Sequence, residues 1–279
     1  MQRSITRNSI NDYKQYLLMA EKAHATITKY INEVERLSEY LEHNALNKCA
    51  LLEYRETLAE NFSSRTVNTK LAAINGYLAF IGADEYKVHL LKVQRKAFIA
   101  ENRELSAAEY KRLVNAADAS GNDRLSLVMQ TICATGIRIS ELSYITVDAV
   151  KERSMEIRLK GKSRTVIIPS KLCKKLVEYA RRQRIDTGAV FRTKGGKPLD
   201  RANVCHDMKR LCDAAHVERS KVFPHNLRHL FARAFYSIEK NLSHLADVLG
   251  HSSIETTRIY VAASSRQYER MLDKMKLIT

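Results

Sequence analysis

The sequence predicts a mainly α-helical protein of two domains with one small antiparallel β-sheet. Apolar residues recur at helical spacing over most of the 279 residues, and an apolar content of 45% can fill two cores. One charge-rich segment, residues 91–105, lacks this periodicity and indicates an exposed linker. A single stretch, residues 155–169, has the pattern of two short strands around a turn.

The first domain is predicted over residues 1–90 as a bundle of four or five helices. Helical periodicity runs through three stretches: residues 11–43, which are long enough for two helices, and residues 51–58 and 67–81. The segment from Ser63 to Thr66 would begin the last of these helices, and Gly82 would end it.

The second domain is predicted over residues 106–260. It opens at Ser106, where Glu109 three residues later completes a capping box. A buried helix ends at Gly136, the two short strands follow, and helices then dominate. Residues 261–279 form a short amphipathic tail, which would pack back in cis or dock on a neighbouring subunit.

The charge of the chain indicates a polyanionic partner. The formal net charge is +16, and so much self-repulsion is otherwise a burden on a compact fold. Residues 1–100 carry 14 of the 47 Lys and Arg and 11 of the 31 Asp and Glu, a net charge of +3. The remaining 33 and 20 give residues 101–279 a net charge of +13, so the second domain should bind most of the polyanion. DNA, RNA and an anionic membrane surface all fit.

Other features exclude several classes of protein. No stretch approaches the roughly 20 apolar residues of a membrane span, and Met1 to Ile10 is too polar for a signal peptide, so we expect a cytoplasmic protein. The five cysteines are an odd number without a CxxC pair, which indicates reduced thiols rather than disulfides or a zinc site.

A helix predicted to begin at Pro224 carries His225 and Arg228 one turn apart. Its apolar residues lie on the opposite side, which would place both side chains off the core face and next to each other. An imidazole and a guanidinium so arranged could converge on one phosphate. A basic pair on a solvated helix face is the alternative, and this motif alone favours that alternative.

A histidine and a tyrosine follow the next predicted helix. That helix ends at Gly250, and His251 comes directly after it. Ser252 and Glu255 have the spacing of a second capping box, and Tyr260 falls about two turns into the helix that this box begins. Taken singly, such a histidine is typical of a surface and such a tyrosine of a core. The combination Leu-Gly-His with a tyrosine nine residues later is more specific.

Arg138 directly follows a glycine break, and is predicted to stand at the start of a new helix. The free N–H groups and the dipole of a helix N-terminus favour phosphate. A salt bridge to Glu141 one turn later is the alternative use of this arginine. Both can hold, because an acid in that place would orient a phosphate-binding residue.

Five of these residues resemble, in order, spacing and local sequence, the active-site series of the tyrosine recombinases, or phage-type integrases: Arg138, His225, Arg228, His251 and Tyr260. The resemblance covers most of the second domain and implies an α+β catalytic domain of tyrosine recombinase type. The first domain is similar, more loosely, to the helical core-binding domain of that family, a SAM-like bundle. In the family a carboxylate at the position of Glu141 supports the site.

The family also has a lysine on a β-hairpin turn, and two residues here compete for that place. Family sequences commonly have Gly-Lys-Gly-x-Lys-x-Arg before a Val-x-Pro strand, whereas the turn with Lys160 and Lys162 is about one residue shorter. Lys160 matches the first family lysine better, and Lys162 is the alternative.

The resemblance implies strand cleavage without a metal, a cofactor or ATP. Tyr260 would attack the scissile phosphate and form a 3′-phosphotyrosyl intermediate, while Arg138 and Arg228 hold the phosphate.

Three further residues would complete this implied chemistry. Lys160 would protonate the leaving 5′-oxygen, His225 would act as the base toward the tyrosine, and His251 would bond a phosphate oxygen.

The implied function is site-specific recombination of double-stranded DNA, as integration, excision or resolution, by a homo-tetramer that joins two DNA sites through a Holliday junction. Such a protein would be associated with the nucleoid. Four residues near a helix start in the first domain are candidates for DNA contact, although a solvated helix N-terminus explains them equally well: Ser64, Arg65, Asn68 and Lys70.

Two rival functions stay open. A type IB topoisomerase shares the chemistry but relaxes supercoils as a monomer. A non-catalytic DNA-binding or architectural protein would also be basic and helical.

Overall fold

The computed structural model describes residues 5–42, 45–93, 104–159, 162–193, 195–251, 253–261, 273 and 275. The chain divides into two compact units, Met1–Arg95 and Lys96–Thr279. Buried apolar residues cluster within each unit. Most described residues are helical and two strands form an antiparallel sheet, which confirms the predicted fold class.

Four helices make up the described part of the first unit: α1 (Arg7–Met19), α2 (His24–Leu41), α3 (Lys48–Asn61) and α4 (Ser64–Phe80). Ser63 caps α4 by accepting a hydrogen bond from the backbone N–H of Thr66, as predicted. One face of α4 is buried in the core along residues at helical spacing: Val67, Leu71, Ile74 and Leu78.

Two asparagines on α4 bind the chain that follows the bundle. Asn75 accepts a hydrogen bond from the N–H of Val88 at 3.1 Å and donates one to its carbonyl at 2.9 Å. Asn68 binds Leu91 in the same way, at 2.7 and 2.8 Å. The seven helical residues from Asn68 to Asn75 and the three extended residues from Val88 to Leu91 both span about 10 Å. The two side-chain amides therefore have the same spacing as the backbone groups that they bind. The use of the Asn68 amide within the unit argues against its predicted contact with DNA.

Lys70 is a buried residue of the same helix. Its side chain is 8% exposed, and its Nζ donates to Oε2 of Glu33 on α2 at 2.6 Å. Nζ also lies 4.9 Å from the ring centroid of Phe62. This burial argues against the prediction that Lys70 contacts DNA, because its ammonium is already paired with the buried carboxylate of Glu33. Ser64 and Arg65 are exposed and stay candidates.

The second unit begins with two consecutive helices that pack against each other. The predicted capping box of Ser106 and Glu109 begins α5 (Ala107–Ala119). The next helix, α6 (Asp123–Thr135), ends as predicted at Gly136, whose φ of +66° lies in the left-handed region that favours glycine.

A short helix, α7 (Val147–Glu152), leads into the β-hairpin. Its strands, β1 (Ser154–Leu159) and β2 (Lys162–Ile167), are antiparallel, with Leu159 opposite Lys162 at the turn. The two predicted strands are therefore confirmed. Lys160 lies in the turn and outside the described residues, as does the side chain of Lys162.

Helices continue to the end of the described chain: α8 (Ser170–Arg182), α9 (Arg201–Arg210), α10 (Cys212–Ala215), α11 (Pro224–Glu239), α12 (Leu242–Leu249) and α13 (Ile254–Val261). Pro224 occupies the first turn of α11, as predicted. This helix packs against α6, α12 and α13, so it lies at the centre of the region that carries the motifs. Ser252 and most of the predicted tail after Val261 lie outside the described residues.

Three further features of the described residues bear on function. None of the described helices is both long and apolar enough to cross a membrane. Within the same residues, no three His, Cys, Asp or Glu side chains group in a way that could hold a metal ion. The five cysteines are free thiols.

The burial of Lys70 generates a stability prediction. Lys70→Ala leaves the Glu33 carboxylate buried without its main partner, so we expect the opening free energy of α2 and α4 to fall by about 3–5 kcal/mol. Native-state amide hydrogen exchange of the full chain measures this quantity for each helix. The exposed Lys29→Ala is the matched control and should change little. Unchanged exchange together with weaker DNA binding would restore Lys70 as a DNA contact.

Candidate active site

Arg228 is buried between the ends of two helices. The residue is only 1% exposed. Nη1 donates to the carbonyl of Gly136 at 2.5 Å and Nη2 to that of Leu249 at 2.7 Å. These carbonyls end α6 and α12, where the helix dipoles are negative and backbone acceptors lack partners inside the helix. The prediction that Arg228 lies off the core face is therefore wrong, because α6, α12 and α13 cover that side of α11.

His251 binds the same guanidinium. Its Nε2 lies 2.9 Å from Nη2 of Arg228, and its Nδ1 lies 2.8 Å from Oγ1 of Thr257. A guanidinium can only donate, so Nε2 accepts and Nδ1 carries the proton that is donated to the threonine. Burial and the positive charge of Arg228 lower the pKa of His251 to about 4. The imidazole is thus neutral at pH 7.

Thr257 links this histidine to the helix of the candidate nucleophile. It is completely buried and lies on α13, three residues before Tyr260. Residues three apart share a face of a helix, so the His251 bond holds the face on which Tyr260 occurs. The backbone of Tyr260 is helical, and its side chain lies outside the described residues. Sequence reasoning missed Thr257, although a buried threonine at that spacing from the tyrosine could have indicated it.

Glu141 is the acid of this region and is fully buried. Its Oε2 accepts the backbone N–H of Arg138 at 2.8 Å, and its Oε1 accepts Nη1 of the same residue at 3.0 Å. The predicted salt bridge is therefore present. Arg138 caps a 3-10 turn, Ile139–Tyr144, rather than the predicted α-helix. The Glu141 carboxylate takes the N-terminal position that an anion favours, and it leaves the Arg138 side chain 36% exposed.

Arg164 on β2 is a second partner of this carboxylate and was missed by sequence reasoning. Nη1 donates to Oε1 of Glu141 at 3.2 Å and Nη2 to Oε2 at 2.7 Å, a bidentate pair. Although burial opposes the charge, hydrogen bonds from Arg164 and Arg138 hold the pKa of Glu141 below its usual range. The arginine that ends the family's hairpin pattern was the signal that could have found it.

His225 stays exposed on the first turn of α11, as predicted. Its ring lies edge-on to that of His229, with centroids 4.8 Å apart. Partial burial and the positive charges of Arg228 and Arg138 lower the pKa of His225. A neutral imidazole near pH 7 can accept a proton, which is the state that a general base requires.

The described side chains thus combine positive charge with neutral imidazoles. Three arginines, one ionised acid and two neutral histidines make up this set: Arg138, Arg164, Arg228, Glu141, His225 and His251. Such a set can bind a phosphate and stabilise negative charge that develops on its oxygens. Tyr260 on α13 and the lysines of the hairpin lie on elements that adjoin this set in the second unit.

Two protein-family models match the chain. The phage integrase family matches residues 103–267, and the N-terminal SAM-like domain of phage integrases matches residues 10–85. The tyrosine recombinase XerA of Thermococcus kodakarensis is 30% identical over 280 residues, which cover 96% of this chain and 95% of that relative. The tyrosine recombinase XerH of Campylobacter jejuni is 29% identical over an alignment that covers 90% of this chain and 77% of that relative.

Solved structures share the fold. The XerH site-specific recombinase bound to its difH substrate matches with a TM-score of 0.70 and 20% identity, over 93% of this chain and 83% of that one. A lambda integrase tetramer bound to a Holliday junction also gives a TM-score of 0.70, with 17% identity over 92% of this chain and 78% of that one.

The geometry at His251 generates a pH prediction. We expect a neutral ring with its proton on Nδ1 at pH 7 and a midpoint of protonation at about 4. Because the unfolded chain binds this proton near pH 6.5, folding stability should fall as the pH drops from about 6.5 toward 4. Nitrogen-15 NMR of the ring reads both tautomer and midpoint. Arg228 sets this tautomer by donating to Nε2, so Thr257→Ser should keep it; a proton on Nε2 in the unaltered protein would contradict the arrangement.

Proposed function

The chain belongs to the phage integrase family, the tyrosine recombinases, and we propose that it cuts and rejoins double-stranded DNA at specific sites with Tyr260 as the nucleophile. One observation carries the proposal. The partly buried hydrogen bonds from Arg228 to His251 and from His251 to Thr257 join the arginine centre to the helix of Tyr260.

The reaction is a transesterification at phosphorus. The Tyr260 oxygen bonds to the scissile phosphate as the 5′-oxygen of the next nucleotide leaves, which yields a 3′-phosphotyrosyl bond. One phosphodiester replaces another, so the bond energy is conserved and no nucleotide triphosphate is needed. Attack by a free 5′-hydroxyl on that bond rejoins the strand and restores the tyrosine.

Arg138 and Arg228 stabilise the negative charge that develops on the non-bridging oxygens. Arg228 is held by two carbonyls, so its guanidinium needs little reorganisation during the reaction. Arg138 is fixed by Glu141 through its backbone and its side chain while it remains partly exposed to an incoming phosphate.

His251 changes partners in the proposed complex. To donate to a phosphate oxygen it must carry its proton on Nε2, whereas in the free protein Nε2 accepts from Arg228. The Thr257 hydroxyl permits this change, because it can accept from a protonated Nδ1 or donate to a bare one. The threonine thus supports both tautomers of the histidine.

Proton transfer involves the hairpin and α11. Lys160 or, as the alternative, Lys162 protonates the leaving 5′-oxygen, and His225 accepts the tyrosine proton in its neutral form.

Strand exchange between two DNA sites requires four active tyrosines. A homo-tetramer on two duplexes that passes through a Holliday junction is the assembly we propose, with Ser64 and Arg65 of the first unit as DNA contacts and the nucleoid as the place of action.

Covalent trapping tests the nucleophile. The substrate is a pool of nicked duplexes with a randomised centre. Cleavage near the nick releases a short fragment, so rejoining is blocked and a 3′-linked adduct accumulates. Denaturing gels detect this adduct. We expect an adduct with the unaltered chain and none with Tyr260→Phe. Arg138→Ala should cleave about 10²–10³ times more slowly with little loss of DNA binding.

The exposed Arg182→Ala, whose partner Asp123 is also on the surface, is the control for general loss of charge. An adduct that persists in Tyr260→Phe would disprove the assigned nucleophile. Relaxation of supercoiled DNA without joining of two sites would indicate a topoisomerase activity instead.

A sulfur-substituted substrate distinguishes the two lysines. Loss of the general acid should slow cleavage of normal DNA by about 10²–10⁴. A bridging 5′-sulfur should leave without protonation, because a thiol has a pKa of about 8.5. We therefore expect Lys160→Ala to recover near-normal cleavage on the sulfur substrate, with Lys162→Ala much less affected on either substrate. The reverse pattern would assign the role to Lys162, and no recovery in either variant would contradict a lysine acid.

A further inference from the structure

Arg164 contacts two separate parts of the candidate site from its position on the hairpin. Its guanidinium binds both oxygens of Glu141, and its side chain is 12% exposed. Its Nη1, Cδ and Cζ lie so close to Gly250 that a Cβ on that glycine would come within 2.5, 2.7 and 3.1 Å of them. One side chain therefore joins β2 to the Arg138 turn and to the end of α12.

Gly250 is constrained twice in this arrangement. Its φ of +65° lies in the left-handed region, which ends α12 and directs the chain into His251. In addition, no Cβ fits beside the Arg164 side chain. The backbone just before His251 is thus set partly by the packing of Arg164 against it.

The carboxylate of Glu141 divides its hydrogen bonds evenly. Two come from Arg138, on its own turn, and two from Arg164, on the hairpin. A buried carboxylate needs such partners, and losing one side leaves lone pairs unsatisfied in a site that excludes water. The geometry of Arg138 therefore depends on a residue 26 positions away in sequence.

The hairpin itself also needs this attachment. Two strands alone are marginally stable, and a hairpin holds its place by packing against other elements. The Arg164 contacts join the strand that begins at Lys162 to the arginine and histidine that face the phosphate. Arg164 is thus suited to fix β2, and with it the hairpin, relative to Arg138 and His251.

We propose that Arg164 is a positioning residue for strand cleavage, which fixes Arg138, His251 and the lysine-bearing hairpin in one geometry through Glu141 and Gly250. The assignment rests on the proposed function for its catalytic consequence. Arg164 acts through these neighbours, because its guanidinium is held by the Glu141 carboxylate in a bidentate pair and its side chain is only 12% exposed.

Loss of Arg164 should change the pH dependence of cleavage. Among the described residues, the charged groups that hold the pKa of Glu141 down are Arg164, from β2, and Arg138, from the same turn. Arg164→Met removes the larger of these effects while burial remains, so the pKa of Glu141 rises. Glu141 then becomes protonated and releases Arg138 as the pH falls. In a plot of cleavage rate against pH, the fall on the acid side (the acid limb) should therefore lie at higher pH in Arg164→Met than in the unaltered chain.

The first experiment needs no DNA. Amide hydrogen exchange of the full chain is compared for the unaltered protein, Arg164→Met, Arg164→Lys and Arg158→Met. Arg158 is the matched control, since it is an exposed arginine of the same hairpin, 76% accessible and paired with the surface residue Glu156. We expect faster exchange in Arg164→Met at residues 137–142 and 248–251, an intermediate effect in Arg164→Lys, and none in Arg158→Met. Unchanged exchange at both segments overturns the proposal whatever the enzymatic activity.

The second experiment uses the nicked duplex that the unaltered chain selects from the randomised pool. Arg164→Met should cleave bound DNA about 10- to 100-fold more slowly, because misplacement by about 1 Å has costs of this order. The dissociation constant for DNA should stay within a few-fold, and in a Glu141→Gln background Arg164→Met should shift the acid limb no further. Weaker DNA binding with normal cleavage of bound DNA overturns positioning in favour of a direct DNA contact. Absence of cleavage by the unaltered chain refutes the proposed function alone, since the exchange result stands independently.

Discussion

The catalytic unit depends on one buried cation. Arg228 would be costly to bury without partners, since an isolated guanidinium loses its hydration. Its partners are the carbonyl ends of α6 and α12 and the Nε2 of His251, which come from parts of the chain 92, 21 and 23 residues away. The cation therefore joins these segments around α11. Charge-assisted bonds of this kind stabilise by about 1.5–3 kcal/mol each, so assembly of the fold and assembly of the phosphate site are the same event.

The electrostatics of the site follow from that burial. Burial and the positive charge of the arginines keep His225 and His251 neutral, and hydrogen bonds from Arg164 and Arg138 keep Glu141 ionised. With both imidazoles uncharged, one carboxylate opposes the three guanidinium groups of Arg138, Arg164 and Arg228, and a net positive charge remains. In the proposed reaction a phosphodiester would supply the missing negative charge. The local excess is consistent with the larger share of the net charge in residues 101–279.

Much of this architecture is predictable from sequence where local chemistry decides it. The capping box at Ser106 and the glycine ends of α6 and α12 depend on a few neighbouring residues, and they appear as predicted. Arg228 and Lys70 show the limit, because helical periodicity gives the side of a helix that is polar but not what covers it. Each is buried by partners 20 or more residues away, Leu249 and Glu33 among them. Arg164 escaped notice for the same reason, since its partner Glu141 lies 23 residues away.

Among the described side chains, the helix of the proposed nucleophile is attached to the site mainly by neutral contacts. α13 is joined to the arginine centre by the bond between His251 and Thr257, a neutral pair of the kind that contributes about 0.5–1.5 kcal/mol, and by packing on α11 and α12. Arg138 and Arg228 are held by bonds that involve full charges. A tyrosine that reaches its target only when its helix is correctly seated allows cleavage to depend on how the helix is held, at no cost to phosphate binding.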